Sequence, residues 1–155
     1  MANNIDARLQ ELGITIPDAP APAANYVPFT ISGNLVFVAG QVPFVDDKLT
    51  KTGHIGDNAS VEDGYEQARI CAISLIAQVK VACGGDLDRV KQVVKLGGFV
   101  ASTPDFTGQP GVVNGASDLM VEIFGDAGKH SRFAVGANVL PLGCLVEVDG
   151  IFEID

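Results

Sequence analysis

Residues 144–153 read Cys-Leu-Val-Glu-Val-Asp-Gly-Ile-Phe-Glu, and this pattern predicts a β-strand. Successive side chains of a β-strand point to opposite faces of its sheet. One face of this strand therefore carries Cys144, Val146, Val148, Gly150 and Phe152, and the other carries Leu145, Glu147, Asp149, Ile151 and Glu153. Both faces hold large apolar residues, but helices from a chain of this size can cover only one of them. We therefore expect further copies of the chain to cover the second face.

The preceding strand carries a charge of the opposite sign. Residues 131–136 read Ser-Arg-Phe-Ala-Val-Gly, which places Arg132 where such a strand is usually apolar. We expect the two strands to be neighbours, and an arginine and a carboxylate on neighbouring core strands are unfavourable unless they pair or bind a ligand. Arg132 and Glu147 are therefore the first candidates for a functional site. The alternatives are a structural ion pair or a rim charge for Arg132, and a salt bridge to Lys or Arg at a subunit boundary for Glu147.

The chain upstream of these strands predicts the rest of the fold. A Ser-Gly-Asn turn at residues 32–34 is typical of a hairpin. Ser60 is a good N-cap, and apolar residues recur after it every three or four positions, which predicts a long helix. The predicted elements are a short helix over residues 5–12, strands over 26–31 and 35–42, a helix over 61–82, a strand over 91–101, a helix over 112–124, and strands over 132–140 and 144–154.

After the short first helix, the order of these elements is β-β-α-β-α-β-β. This order predicts an α+β two-layer sandwich, in which two helices cover one face of a mixed β-sheet. The length of 155 residues predicts a single domain over residues 1–155. Within it, residues 1–24 form an N-terminal extension with a short helix and a Pro/Ala-rich lead-in.

Composition excludes several classes of function. A net charge of −9 disfavours broad binding of nucleic acid, which needs clustered Lys and Arg against the phosphates. No apolar run is long enough to cross a membrane. The N-terminus has no basic region and no apolar signal core, so we expect a cytoplasmic protein. The two histidines are isolated and the three cysteines are widely spaced, so no metal site is expected.

Three stretches together resemble a known family. They are residues 31–43 (Ile-Ser-Gly-Asn-Leu-Val-Phe-Val-Ala-Gly-Gln-Val-Pro), residues 66–69 (Glu-Gln-Ala-Arg), and the pair Ser131-Arg132 with Val146-Glu147-Val148. In order and spacing they resemble the RidA (YjgF-type) reactive-intermediate deaminase family, also known as endoribonuclease L-PSP. The resemblance implies a chorismate-mutase-like subunit and a homotrimer with clefts between subunits. It also implies hydrolysis of 2-imino or enamine acids to 2-keto acids and ammonia, without a cofactor.

The resemblance also implies roles for individual residues. The family's carboxylate-binding arginine falls on Arg132, and its water-positioning glutamate falls on Glu147. The remaining candidates for substrate binding are Tyr26, Gly40, Phe106, Asn114 and Ala134. Ala134 stands where many members have a cysteine, so a mechanism that requires a thiol there is excluded. For Tyr26 and Phe106 ordinary packing stays an alternative, and for Asn114 a local helix-capping role does.

Chemistry supports the two principal assignments. Arginine binds a carboxylate through two parallel hydrogen bonds and stays charged at any relevant pH. A carboxylate within hydrogen-bond reach of water can accept its proton. The leading hypothesis is therefore an imine or enamine deaminase acting on a small imino acid. A trimer that binds a small carboxylate or keto acid without catalysis is the second hypothesis, and an endoribonuclease is the third.

Overall fold

A computed structural model describes residues 4–22 and 24–155 of the chain. Of the predicted N-terminal extension, residues 1–3 and Ala23 lie outside this described part. The elements are α1 (Asn4–Leu12), β1 (Phe29–Ser32), β2 (Leu35–Gln41), β3 (Phe44–Val45), β4 (Lys48–Leu49), α2 (Val61–Ala82), β5 (Val90–Ala101), α3 (Gln109–Phe124), β6 (Ser131–Ala137) and β7 (Val146–Ile154). Apart from the small β3–β4 hairpin, which the sequence did not reveal, the order matches the prediction.

The main sheet has five strands in the order β1-β2-β7-β5-β6. Strands β5 and β6 are parallel, and the other pairs are antiparallel. The sheet is therefore mixed, as predicted. The prediction that the strands of Arg132 and Glu147 are neighbours is wrong, because β5 lies between β6 and β7. The helix α3 connects β5 to β6 as a crossover, and such a connection returns the chain parallel to the strand it left.

Several boundaries differ from the predicted ones. The strand predicted from residue 26 begins only at Phe29, so Tyr26 lies in a bend, where its N–H donates to the carbonyl of Ala24. Helix α3 begins at Gln109, before the predicted residue 112, because proline is compatible with a first helical turn and Pro110 occupies it. Strand β6 ends at Ala137, and β7 begins at Val146, since a 3₁₀ turn at Pro141–Gly143 separates them.

Helices α2 and α3 cover one face of the sheet. The N-terminus of α2 has a capping box, in which Ser60 and Asp63 each accept a hydrogen bond from the other's backbone N–H. The two helices approach closely at Gly115, where a Cβ atom would lie 2.0 Å from the carbonyl oxygen of Tyr65. Val146, Val148 and Phe152 of β7 are fully buried beneath these helices, as the alternation predicts.

The opposite face of the sheet, which we call the open face, is apolar and uncovered in the single chain. Phe37, Phe99 and Val135 on this face are 40%, 39% and 43% exposed. Glu147, Asp149 and Ile151 point to the same face, in agreement with the predicted alternation. Such a surface is typical of an interface. That further copies of the chain cover it stays a prediction.

Among the described residues, no helix combines the length and the apolarity that spanning a membrane requires. The described residues also contain no cluster of three His, Cys, Asp or Glu side chains that could hold a metal ion. All three cysteines are buried and unpaired. Burial raises the pKa of the Cys144 thiol to about 11, so this cysteine is not a thiolate nucleophile at neutral pH.

Candidate functional site

Arg132 lies on the helix-covered face of the edge strand β6, in register with buried Leu96 of β5. Its Nη1 donates to Asn114 Oδ1 at 2.9 Å and to Ser117 Oγ at 3.1 Å, and its Nη2 donates to the carbonyl of Pro110 at 3.5 Å. The three partners follow one another along α3 at spacings of four and three residues, which places them on one side of the helix. We call Arg132, Asn114 and Ser117 the arginine clamp.

The arginine clamp leaves part of the guanidinium available to a ligand. Arg132 takes part in none of the ion pairs formed by the described residues. A structural ion pair, one of the alternatives for Arg132, is therefore absent from the described part of the chain. Nη1 is held by two acceptors, whereas Nε has no acceptor among the described residues. The edge formed by Nε and Nη2 can thus offer two parallel N–H groups to a carboxylate.

Glu147 lies on the open face, in register with Phe99 of β5. Its carboxylate rests against Gly40, where an added Cβ atom would lie 2.4 Å from Glu147 Oε1. The register of β2 against β7 shifts between Val38 and Gln41, so Gly40 sits in an irregular part of the strand. The structure therefore brings two of the predicted site residues, Gly40 and Glu147, into contact.

The open face also carries a second carboxylate. Burial raises the pKa of Glu147, and the negative charge of Asp149 raises it further. Burial likewise raises the pKa of Asp149, although the backbone N–H of Gly97 and the charge of Lys95 oppose this effect. Within the described residues Glu147 has no hydrogen-bond or ion-pair partner. We call Gly40, Glu147 and Asp149 the carboxylate face, and its raised pKa values are typical of a group that exchanges protons.

The arginine clamp and the carboxylate face lie on opposite faces of the same sheet. Leu96 and Phe99, the β5 partners of Arg132 and Glu147, are three positions apart and therefore point to opposite sides. One chain consequently cannot hold a small molecule between these two side chains. A site that contains both must take Arg132 from one subunit and Glu147 from another.

The other predicted residues, Tyr26, Phe106 and Ala134, do not lie together. Tyr26 is 48% exposed and lines a cleft of about 490 Å³ together with Gly40 and Phe44, with proline-rich residues 17–22 as one wall. Phe106 does not line this cleft, since its ring packs against Gly108 at the start of α3 and against the core. Ala134 faces the core in register with Gly98, two residues beyond Arg132.

Two residues at the clamp were not predicted. Ser117 has no motif of its own, although its position three residues after Asn114 is the signal that could have indicated it. His130, which is isolated in the sequence, is half-buried and contacts Ser117 Oγ at 2.8 Å and the carbonyl of Gly128 at 2.6 Å. A histidine two residues from a candidate arginine lies on the same side of an extended segment, and this periodicity is the signal for His130.

Comparison with known proteins agrees with this fold. The chain matches the family described as "YjgF/chorismate mutase-like, putative endoribonuclease" over residues 6–154. It therefore belongs to the YjgF/RidA-type family, and both the resemblance and the chorismate-mutase-like fold are confirmed. Membership supports a role in processing or binding small molecules.

Three relatives show how far the similarity extends. Protein TCP17 of Trypanosoma cruzi is 47% identical over 155 residues, which cover 99% of this chain and 96% of that protein. The crystal structure of Atu1372 from Agrobacterium tumefaciens, a protein of unknown function, has a TM-score of 0.91 and 49% identity over 97% of this chain and 92% of that one. A structure from Shewanella oneidensis that carries the endoribonuclease name has a TM-score of 0.93 and 37% identity over 98% of this chain and all of that one.

Proposed function

We propose that the protein is a cytoplasmic, homotrimeric hydrolase that converts reactive 2-imino and 2-enamine acids to 2-keto acids and ammonia in clefts between subunits. The observation that carries the proposal is the Nε–Nη2 edge of Arg132, where Nε has no acceptor among the described residues and Nη2 makes only a 3.5 Å hydrogen bond to the Pro110 carbonyl. The substrate class is the one this edge suits, since a 2-imino acid has a carboxylate beside its reactive carbon. Binding that carboxylate fixes the position of the imine carbon relative to the protein.

Glu147 is the group that activates water in this proposal. It accepts a proton from a water molecule while the water oxygen bonds to the carbon of the protonated imine, which gives a tetrahedral carbinolamine. Glu147 then returns the proton to nitrogen, the C–N bond breaks, and ammonia takes up the hydroxyl proton as the C=O bond forms. Because burial and Asp149 raise the pKa of Glu147, its carboxylate is a stronger base than an exposed one.

Two subunits are needed to bring these groups together. The exposed apolar side chains of the open face, Phe37, Phe99 and Val135, give a neighbouring subunit a surface to pack against. A neighbour that packs there can place its α3–β6 edge beside Glu147. Tyr26 lies at the cleft that reaches Gly40, where its ring can cover a bound substrate.

The test generates 2-iminopropanoate in the assay with an amino-acid oxidase and follows the appearance of pyruvate. The wild-type protein should accelerate pyruvate release, and Arg132→Ala should lower the enzymatic rate by about 100-fold or more, because orientation of the substrate is lost. Arg132→Lys is the matched control, since it keeps the charge without the two-pronged geometry and should recover only part of the activity. Identical rates for wild type and Arg132→Ala would overturn the proposal.

The same samples separate the proposal from its alternatives. Calorimetry that shows 2-ketobutyrate binding to the wild type, without acceleration of imine hydrolysis, would indicate a carboxylate-binding protein. Cleavage of RNA that persists through purification and disappears in Arg132→Ala would indicate the endoribonuclease. The net charge of −9 makes that third outcome the one we do not expect.

A further inference from the structure

A chain of hydrogen bonds runs from Arg132 away from the proposed substrate. Arg132 Nη1 donates to Ser117 Oγ at 3.1 Å, Ser117 Oγ contacts His130 Nε2 at 2.8 Å, and His130 Nδ1 contacts the carbonyl of Gly128 at 2.6 Å. Ser117 and His130 are both half-buried. The deaminase proposal assigns neither of them a role.

The chemistry of the groups fixes the direction of this chain. A carbonyl oxygen only accepts, so His130 Nδ1 carries the hydrogen that bonds to Gly128. In the neutral ring Nε2 is then an acceptor, and the Ser117 hydroxyl donates to it. The Ser117 oxygen is left with its lone pairs towards Arg132, whose N–H groups only donate. Every donor in the chain meets an acceptor.

This arrangement controls the rotation of the guanidinium. Asn114 and Ser117, which lie three residues apart on one side of α3, both accept hydrogen bonds from Nη1. His130 holds the Ser117 hydroxyl in the orientation that makes its oxygen an acceptor for the arginine. The plane of the guanidinium is therefore set before a ligand arrives, and less side-chain freedom is lost on binding.

We propose that Ser117 and His130 are positioning residues that present the Nε–Nη2 edge of Arg132 to the substrate carboxylate. This inference rests on the proposed function, since it assumes that Arg132 binds that carboxylate. Neither residue touches the substrate. They act only through the orientation of Arg132.

The test measures the affinity for 2-ketobutyrate by calorimetry, which does not depend on turnover. Ser117→Ala should weaken binding by about tenfold, the effect of losing one hydrogen bond to a charged group. His130→Phe should weaken it by a similar factor, because the Ser117 hydroxyl can then rotate away from the orientation that accepts from Arg132. Ser117→Thr keeps the hydroxyl and His130→Gln keeps an acceptor, and both should bind within about threefold of the wild type. In the deaminase assay KM should rise by the same factor in the two disruptive variants, with a smaller change in kcat.

The two histidines of the chain provide a readout that does not involve a ligand. The hydrogen bond from His130 Nδ1 predicts the Nδ1–H tautomer, whereas His54 contacts the carbonyl of Asn138 through Nε2 at 2.6 Å, which predicts the opposite tautomer. Nitrogen-15 NMR of the ring nitrogens should distinguish them. Ser117→Ala should change the nitrogen-15 shift of His130 Nε2 alone, because this nitrogen loses its hydrogen-bond donor, while the bond to the Gly128 carbonyl keeps the Nδ1–H tautomer.

The outcomes separate this proposal from the function on which it rests. If Arg132→Ala loses 2-ketobutyrate binding while Ser117→Ala and His130→Phe keep wild-type affinity, the positioning role is overturned and the carboxylate site stands. If the wild type does not bind 2-ketobutyrate, both fall together. If His130 carries its hydrogen on Nε2 in the wild type, the direction of the chain is wrong and the proposal fails.

Discussion

The arginine clamp and the carboxylate face differ in how far a single chain completes them. At the clamp, Arg132 is held by Asn114 and Ser117, so its orientation is set by the fold of one subunit. At the carboxylate face, Glu147 has no partner among the described residues, and burial together with Asp149 raises its pKa. The fold of one chain therefore orients Arg132, the proposed carboxylate-binding group. It leaves Glu147, the proposed proton acceptor, in an environment that disfavours its anion.

This difference follows from what each group has to do. A group that binds a carboxylate gains from being rigid, because side-chain freedom that the fold has already removed is not lost again when the ligand binds. A general base gains from being destabilised as an anion, because its affinity for a proton rises. The helix-covered face supplies the first condition and the open face supplies the second. Subunit association is the step that would join them.

The largest expected effect concerns that association. Arg132→Ala and Glu147→Gln should each be nearly inactive alone, since each removes one half of every cleft. When the two variants are co-expressed with different tags and purified as mixed oligomers, about one cleft in four should contain both intact side chains. Activity near a quarter of the wild-type value, measured by pyruvate release, is therefore expected.

A mixed oligomer that is no more active than its parents would contradict a shared cleft. The control is the double variant Arg132→Ala/Glu147→Gln mixed with either single variant, which contains no intact combination and should stay inactive. Exchange of subunits has to be verified by recovery of both tags in one complex. With that check, the result distinguishes a cleft shared by two chains from a contact between Arg132 and Glu147 within one chain.

A smaller effect is expected when only the carboxylate face is disturbed. In Gly40→Ala the new Cβ would lie 2.4 Å from Glu147 Oε1, so the carboxylate has to move. Displacement of about 1 Å at a catalytic group lowers kcat by about 10- to 100-fold. Affinity for 2-ketobutyrate should stay close to the wild-type value, because Arg132, which binds the carboxylate, is held by Asn114 and Ser117, and this substitution leaves both in place.

Gly111→Ala is the matched control for this substitution. Gly111 lies in α3, between Pro110 and the clamp residues, and its added Cβ would meet only Val61 Cγ1 at 3.8 Å, an ordinary contact distance. We expect unchanged kcat and unchanged affinity. A Gly40→Ala variant as active as Gly111→Ala would show that the position of Glu147 does not limit the reaction.

Local patterns predicted the elements of the fold but not the order of the strands. The alternation in β7 and the helical periodicity of residues 61–82 depend on neighbours in sequence, and both were confirmed. The strand order depends on which distant segments pair, and no local pattern contains that information. For this reason Arg132 and Glu147 were expected on neighbouring strands, although β5 separates them.

The same limit applies to the glycines of β5. Gly97 and Gly98 stand together in a strand, where glycine usually marks an irregularity, but both are paired in regular register with β6 and β7. Their role is to admit side chains from other elements, since a Cβ would lie 2.4 Å from Asp149 Oδ1 at Gly97 and 2.6 Å from Val113 at Gly98. Contacts of this kind come from tertiary packing. The resemblance indicated Arg132 and Asn114 together, whereas the contacts that join Ser117 and His130 to Arg132 depend on how α3 packs on β6.

The smallest expected effect is a shift in pH dependence. Glu147 has to be ionised to accept a proton, so kcat should fall as the pH drops through its raised pKa. The charge of Asp149 contributes to that raised value, and Asp149→Asn removes the charge. The pKa of Glu147 should then fall, and the acidic limb of the kcat profile should move to lower pH.

The matched control is Glu153→Gln, on the same face of β7. Glu153 accepts a hydrogen bond from Asn34 at 2.9 Å and does not contribute to the raised pKa of Glu147. Its removal should leave the acidic limb in place.

Stability gives an independent check of sign, because a raised carboxyl pKa means that the folded state loses stability as the pH rises through it. Asp149→Asn should therefore reduce this loss of stability. An acidic limb of the kcat profile that moves to higher pH in this variant would show that the negative charge of Asp149 is not what destabilises the Glu147 anion.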